Sequence, residues 1–279
     1  MFSNSGSWCQ ALQRSSFAGP LFSPRGLLLT VISNPPRLSA ITLIRRFADQ
    51  DVRRLQFEFE DEFKNFIGGT TQPLPHSGGA GGVPKFLMTD GKKTLAVSNV
   101  SVQLSLNFGA ALPSKLTLSD VLTRPAKEMD RALEKIFPSQ KTFFSAIIVE
   151  WVATERDPTK VAALFNSLLL KPKFRGTLAS LTATVGLEIS DINRVIELSQ
   201  FKSFMRAQQS GLPVQFSLDP DFDVADDEGV QIKVEVNTKP TVNSPPQQAF
   251  ASLIPVLKET IAVDLPMFVE ADFVAALPK

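Results

Sequence analysis

The sequence is poor in the side chains that most often carry out catalysis. Its 279 residues include one histidine, one cysteine and no tyrosine. Ordinary zinc sites are therefore nearly excluded, because they need several histidine or cysteine ligands. A Ser-His-Asp arrangement would have to use His76, which lies in a segment rich in glycine and proline rather than on a rigid element. We expect no catalytic residues, no metal and no cofactor, and interpret the protein as a non-enzyme.

Acidic residues are missing from the first 48 positions. This leader holds eight serines and five arginines, and Asp49 is the first acid. A leader of this composition is typical of an organelle transit peptide, so we predict import into the mitochondrial matrix. The string Arg45-Arg46-Phe47-Ala48 resembles a presequence processing site. We therefore expect residues 1–47 to be removed.

Two other interpretations of the leader stay open. It could be upstream sequence that is not translated, which would make this a bacterial-type protein with a wrongly assigned N-terminus. A secretory signal would use the apolar run 26–33, but Pro35, Pro36 and Arg37 follow that run instead of a small-residue cleavage site. No run reaches the roughly 18 apolar residues of a membrane-spanning helix.

Removal of the leader would change the charge of the protein. The whole chain has 29 Lys and Arg against 28 Asp and Glu, and processing after Phe47 would leave 24 against 28. A net charge of −4 gives no overall field that attracts nucleic acid or an anionic membrane. The only cysteine, Cys9, would leave with the leader, so the mature chain would have no disulfide.

We predict three further segments after the transit peptide at 1–47. Residues 48–67 have helical spacing of apolar residues, although a short strand at 55–59 is an alternative. Residues 68–84 are rich in glycine and proline and are interpreted as a flexible linker. Residues 85–279 then form an α+β domain.

Alternating and helical patterns predict a largely antiparallel sheet with helices packed on one side of it. Strands are expected at 85–89, 94–98, 100–108, 142–153, 176–189, 213–218 and 230–236. Helices are expected at 117–137, 158–170, 191–207 and 247–263, with a last short helix from 266. The first of these begins at a capping-box-like pair, Thr117 and Asp120, and is expected to be interrupted at Pro125. The order of elements suggests two strand-plus-helix halves, although no repeated motif marks them.

One hairpin turn and one basic turn provide candidate nucleic-acid contacts. Their residues are Lys92, Lys93, Lys171, Lys173, Phe174 and Arg175. The cations would contact phosphates while the aromatic ring stacks on a base. The polar faces of the strands carry Ser, Thr, Asn and Gln instead of a row of aromatic residues, which argues against an RNA-reading sheet.

Two further strings fail as ligand sites. The acidic segment 219–229 lacks the glycine and the glutamate of an EF-hand calcium loop. The string Gly91-Lys92-Lys93-Thr94 lacks the leading glycine of a phosphate loop and precedes a predicted strand instead of a helix. We interpret the first as a solvated loop and the second as a hairpin turn.

The order of elements resembles the mitochondrial acidic matrix protein family, the complement q-subcomponent binding proteins. The likeness lies in a Phe-rich helix at Phe59 to Ile67, a long alternating strand through Val100 to Pro113, and a closing helix at Ala249 to Phe268. The resemblance implies a ring-shaped oligomer that acts as an adaptor or chaperone in matrix RNA and ribosome metabolism. The mild charge and the predicted helices at 158–170 and 191–207 depart from that family. The string Gly91 to Ala96 is also similar to a strand of the Whirly single-stranded nucleic-acid binders.

We therefore expect a mitochondrial adaptor, chaperone or assembly factor that acts through protein contacts and forms a homo-oligomer. The alternative is a single-stranded RNA-binding protein of the mitochondrion. A third hypothesis is an enzyme that uses carboxylates or a lysine in a cleft. We predict no membrane span and no small-molecule substrate.

Overall fold

The computed structural model describes residues 36–74, 82–108, 117–138, 142–155, 157, 159–161, 182–189, 191–203, 227–239 and 249–269. Its strands are β1 (Arg37–Phe47), β2 (Thr70–Pro73), β3 (Pro84–Thr89), β4 (Lys93–Ser98), β5 (Ser101–Asn107), β6 (Thr142–Thr154), β7 (Thr182–Ile189), β8 (Ile192–Ser203) and β9 (Asp227–Thr238). Its helices are a 3-10 turn (Val52–Leu55), α1 (Gln56–Ile67), α2 (Leu118–Ile136), α3 (Phe250–Glu259), a π turn (Thr260–Asp264) and α4 (Leu265–Phe268).

All nine of these strands join one sheet in the order β2-β3-β4-β5-β1-β6-β9-β8-β7. Every neighbouring pair is antiparallel. The helices pack on one face, where alternate strand residues such as Leu43, Val149 and Val234 are fully buried. The predicted α+β fold, with a largely antiparallel sheet and helices on one side, is confirmed. We refer to the opposite face of the sheet as the open face.

The sheet consists of two halves with the same connectivity. Outward from the centre, the first half runs β1-β5-β4-β3 and the second half runs β6-β9-β8-β7. In each half the first strand pairs with the last strand of a meander, and a helix follows that last strand, α2 after β5 and α3 after β9. Because the central pair β1–β6 is antiparallel, an approximate two-fold rotation relates the halves. The first half carries one additional outer strand, β2.

The chain enters the sheet at β1, inside the segment that we expected to be removed. β1 lies at the centre and pairs with β5 on one side and with β6 on the other. Its alternate residues Ile41, Leu43 and Phe47 are buried in the core. The expected boundary after Phe47 therefore does not coincide with the start of the folded domain. The lack of acids concealed this strand, because a composition typical of a leader outweighed its alternating pattern.

The described part of the region between β1 and β3 contains regular elements, one of which lies inside the predicted linker. α1 confirms the helix expected within 48–67 and rules out a strand at 55–59, since Phe57 is 79% exposed on the outer side of the helix. The helix ends at Gly68, whose φ of 67° is left-handed. Residues 70–73 form β2 against β3. Gly69 lies so close to β3 that a Cβ would meet the Thr89 carbonyl oxygen at 1.8 Å.

α2 begins at the predicted capping box. The Thr117 side chain accepts a hydrogen bond from the Asp120 N–H at 3.2 Å, and the Asp120 carboxylate accepts one from the Thr117 N–H at 2.9 Å. These bonds satisfy N–H groups that a helix start leaves unpaired. The expected interruption at Pro125 does not occur, because α2 continues through this buried proline to Ile136.

Residues 192–203 form strand β8, so the helix predicted over 191–207 is wrong. The apolar residues of this segment fit both periods, and Asp191 suggested a helix cap. β8 pairs with β7 over residues 192–199 and with β9 along its whole length. Its buried Arg194 interrupts the apolar alternation that would have indicated a strand. The predicted strand at 213–218, the acidic segment up to 226, His76 and most of the helix at 158–170 lie outside the described residues.

Candidate functional site

The hairpin lysines proposed as nucleic-acid contacts are held by the protein itself. Lys93 donates from Nζ to the Phe66 carbonyl oxygen at 2.5 Å and lies 3.3 Å from Asp90 Oδ2. Asp90 also accepts the backbone N–H groups of Lys92 and Lys93. Burial raises the pKa of Asp90, but these bonds outweigh burial and hold the pKa below its usual value. Lys93 therefore binds a carbonyl group in the last turn of α1. Of the two hairpin lysines, only Lys92 is exposed.

The other proposed contacts cannot be placed beside them. Lys171, Lys173, Phe174 and Arg175 lie outside the residues that the structure describes. The hairpin itself matches the sequence interpretation of Gly91 as a turn residue, since its φ of 86° is left-handed. The described residues thus place one exposed lysine of the proposed set at this turn.

Two of the four proposed processing residues, Arg45 and Phe47, are buried between the sheet and the helices. Arg45 is 3% exposed and donates from Nη2 to Asp130 Oδ1 at 2.7 Å. Its guanidinium lies 4.4 Å above the ring of Phe250. Burial lowers the pKa of Arg45, and the neighbouring Asp130 carboxylate opposes this shift. Phe47 packs its ring 4.8 Å from that of Phe137, so the residue just before the expected cut belongs to the folded core.

Arg46 and Ala48 differ from their neighbours because their side chains are exposed. Arg46 points to the open face, where its guanidinium lies 5.3 Å from the ring centre of Phe144. A protease that reads an arginine near this position would have to bind a strand already paired on both edges. In the folded chain, Arg45, Arg46 and Phe47 are therefore part of a strand that is paired on both edges.

A cleft of about 430 Å³ lies between α1 and α2. Glu62 bridges the two helices by accepting bonds from Lys135 and from Arg131 Nη1, the latter at 2.7 Å. Asp61 pairs with Lys64 at 2.5 Å. The bond from Lys135 lowers the pKa of Glu62, and the bond from Lys64 lowers the pKa of Asp61.

These shifts bear on the carboxylate hypothesis. A general acid or base at neutral pH needs a carboxyl group whose pKa is raised towards 7. The pKa values of Asp61 and Glu62 move in the opposite direction. We interpret the cleft as an ion-pair network that joins α1 to α2.

A second buried arginine joins the second half of the sheet to the C-terminal helices. Arg194 on β8 donates to Glu259 Oε2 and to Asp264 Oδ2, both at 2.8 Å. Burial opposes its charge, but the two acids together outweigh burial and raise its pKa. The acids lie at the two ends of the π turn, so the arginine fixes this irregular turn against the sheet.

A network of polar side chains lies on the open face across β6, β9 and β8. Gln231 donates from Nε2 to Glu150 Oε2 at 2.9 Å. Asn237 donates to Glu235 Oε1 at 2.7 Å and accepts from Asn193 Nδ2 at 3.1 Å. Period-two alternation along β9 brings these side chains to one face, and the antiparallel register aligns them with their neighbours.

The charges within this network are unequal. The register places Lys233 of β9 between Glu150 of β6 and Glu197 of β8. Its Nζ lies 4.0 Å from Glu197 Oε2 and 3.9 Å from Glu235 Oε2. Two carboxylates thus lie beside the Lys233 ammonium group, and with Glu150 the network carries a net charge of −2. We refer to the network as the polar patch, with the members Glu150, Asn193, Glu197, Gln231, Lys233, Glu235 and Asn237.

The polar patch was not identified from the sequence. The alternation at 230–236 predicted a strand with one wet face, but its neighbours come from residues more than 30 positions away. A row of Gln, Lys, Glu and Asn at alternate positions was the only available signal. Pairing with β6 and β8 gives that row its partners.

The comparisons with known proteins do not decide the family. No family model, no curated protein and no solved structure matches this chain. Within the described ranges, no group of three or more His, Cys, Asp or Glu side chains is arranged to hold a metal ion. Among the same residues, no helix combines the length and the apolar character needed to cross a membrane.

Proposed function

We propose that the protein is a non-enzymatic adaptor or assembly factor of the mitochondrial matrix that binds a protein partner on the polar patch. The observation that carries this proposal is the position of the patch. It lies on the open face, where the described residues place no helix over the strands. Carboxylates held on rigid strands are suited to accept charge-assisted hydrogen bonds from Lys and Arg of a partner.

Two features of the sequence support the compartment and the role. The Ser- and Arg-rich leader is typical of imported proteins. The resemblance to the acidic matrix protein family implies an adaptor that works as an oligomer. Binding of single-stranded RNA is the weaker proposal, because the net-negative patch repels phosphates and Lys93 is already bonded to Phe66 and Asp90.

The test compares two sets of charge-neutralising substitutions in the tagged full chain. The patch variant combines Glu150→Gln, Glu197→Gln and Glu235→Gln. The control variant combines Glu58→Gln, Glu60→Gln and Glu134→Gln, which remove the same charge from the helical side. Because Gln keeps the size of Glu but not its charge, both variants should fold, as thermal melting would verify.

We expect the unchanged chain and the control variant to retain the same cross-linked proteins from mitochondrial extract. The patch variant should retain at least about tenfold less, because its charge-assisted bonds are lost. Equal retention by both variants would contradict the proposal. Binding of labelled single-stranded RNA with a steep salt dependence, without a retained protein, would favour the RNA alternative.

A further inference from the structure

The outer edge of β7 has no neighbouring strand among the residues that the structure describes. β7 ends the sheet on the side of the second half. Its counterpart in the first half, β3, is covered on the same edge by β2. The approximate two-fold relation of the halves therefore identifies a position beside β7 that corresponds to β2. An added strand in this position would continue the antiparallel sheet.

The strand β7 itself lacks the residues and the bulge that often protect a sheet edge. It has eight residues, a length of about 27 Å, and its pairing with β8 contains no bulge. It contains neither proline nor lysine. Its single charge, Glu188, is bonded to Lys239 of the same chain. An edge of this kind presents unpaired N–H and C=O groups that favour pairing with another strand.

The side chains of β7 make it complementary to itself. Ala183, Val185 and Leu187 lie on the helical side, whereas Thr182, Thr184, Gly186 and Glu188 lie on the open side. An antiparallel pair of identical strands stays in one continuous sheet only if residues opposite each other share a side. A register centred on Val185 meets this condition.

We propose that β7 pairs with β7 of a second copy of this chain, antiparallel about a two-fold axis at Val185. Ala183 then lies opposite Leu187, and the apolar row on the helical side continues into the second copy. Thr182 lies opposite Glu188, so the two glutamates do not face each other. This inference deepens the proposed adaptor function, on which it rests, by naming the surface through which the adaptor would self-associate.

A cross-link at the centre of this pairing tests the register. In the full chain with Cys9→Ser, Val185→Cys would place two thiols opposite each other, at a Cα separation of roughly 4.5–5.5 Å that a disulfide can span. Gln103→Cys, exposed on β5, is the matched control. We expect a disulfide-linked dimer from Val185→Cys under mild oxidation and none from the control. Equal cross-linking of both variants, or none at Val185→Cys, would overturn the register.

Charge at the same position tests the interface without a cross-link. Val185→Lys and Val185→Glu each place like charges opposite each other and should weaken the dimer roughly tenfold or more in light scattering. Mixing the two variants should restore a dimer, because opposite charges then meet. Val185→Thr, which keeps the side-chain shape, should remain dimeric. A chain that stays monomeric at all concentrations, with the amides of β7 protected from hydrogen exchange, would overturn the inference.

The outcomes separate this inference from the proposed function. A monomeric Val185→Lys variant that still retains the partner supports the self-association surface and leaves the adaptor role intact. A cross-linked dimer whose patch variant loses no partner also supports the surface, although it contradicts the proposed function. A native dimer that Val185→Lys does not weaken overturns the surface, because the copies then associate elsewhere.

Discussion

At the residue scale, one carboxylate joins three elements. Asp130 of α2 bonds to Arg45 of β1 at 2.7 Å and accepts the Phe250 N–H at the start of α3 at 3.1 Å. We predict that Asp130→Asn destabilises the protein by about 3–5 kcal/mol, because it leaves the buried Arg45 without its carboxylate while an amide oxygen can still accept the bond from Phe250. Urea unfolding at neutral pH measures this loss.

Asp61→Asn is the matched control for that prediction. It removes the same type of group from the exposed pair with Lys64, where both side chains are more than half exposed. Exposed pairs contribute little to stability, so the unfolding midpoint should not change measurably. An equal loss of unfolding free energy in both variants would contradict the claim that Asp130 stabilises the protein through the buried Arg45.

The sequence could not reveal this pairing. Arg45 was interpreted as part of a processing site because its surroundings lack acids, and its partner lies 85 positions away. The local signal at Thr117 and Asp120 was read correctly, since a capping box acts over three residues. Local hydrogen bonds are thus visible in one sequence, whereas buried pairs between distant elements depend on the sheet order.

At the element scale, Glu62 fastens α1 to α2 and should make stability depend on pH. Hydrogen bonds from Lys135 and Arg131 lower its pKa in the folded state. Its stabilising contribution is therefore complete above the unfolded pKa of about 4.3 and is lost as pH falls through the lower folded value. We predict that Glu62→Gln is less stable than the unchanged chain at pH 7 and that the difference shrinks towards pH 3.

Unfolding in urea at both pH values checks this prediction. Glu58→Gln, which changes an exposed glutamate of the same helix that does not contact α2 among the described residues, should show the same stability as the unchanged chain at both values. A Glu62→Gln deficit that persists undiminished at pH 3 would show that the loss is not electrostatic. Comparison of the two variants separates the effect of the ion pairs between α1 and α2 from any effect on the helix propensity of α1.

An element could be predicted only where the spacing of its apolar residues fitted a helix or a strand but not both. Residues 142–153 are apolar on both faces and form the long strand β6 as expected. β8 failed because its apolar residues suit both a helix and a strand, and only pairing with β7 and β9 decides between them. The polar patch depends on the same pairing, because two of its members lie on β8. A pattern that predicts a helix at β8 therefore cannot reveal the patch.

At the scale of the whole molecule, β1 separates two interpretations of the leader. Leu38, Ile41, Leu43 and Phe47 are all buried on this central strand. Burial of a large apolar side chain contributes about 1.5–3 kcal/mol, so these four together contribute about 6–12 kcal/mol. That range is comparable to the entire stability of an ordinary domain. Removal of residues 1–47 would also leave β5 and β6 without the strand that joins them.

We therefore predict that a chain starting at Ala48 does not fold cooperatively, whereas a chain starting at Pro36 does. Circular dichroism with thermal melting compares the two, and sequencing of the mature N-terminus from mitochondria locates any natural cut. We expect that cut before Arg37, which leaves 27 Lys and Arg against 28 Asp and Glu instead of 24 against 28. If the Ala48 chain melted cooperatively at the same temperature as the Pro36 chain, the prediction that folding requires β1 would be contradicted. A net charge of −1 makes the whole-chain field weaker still, so any electrostatic attraction of a partner has to come from local groups such as the polar patch.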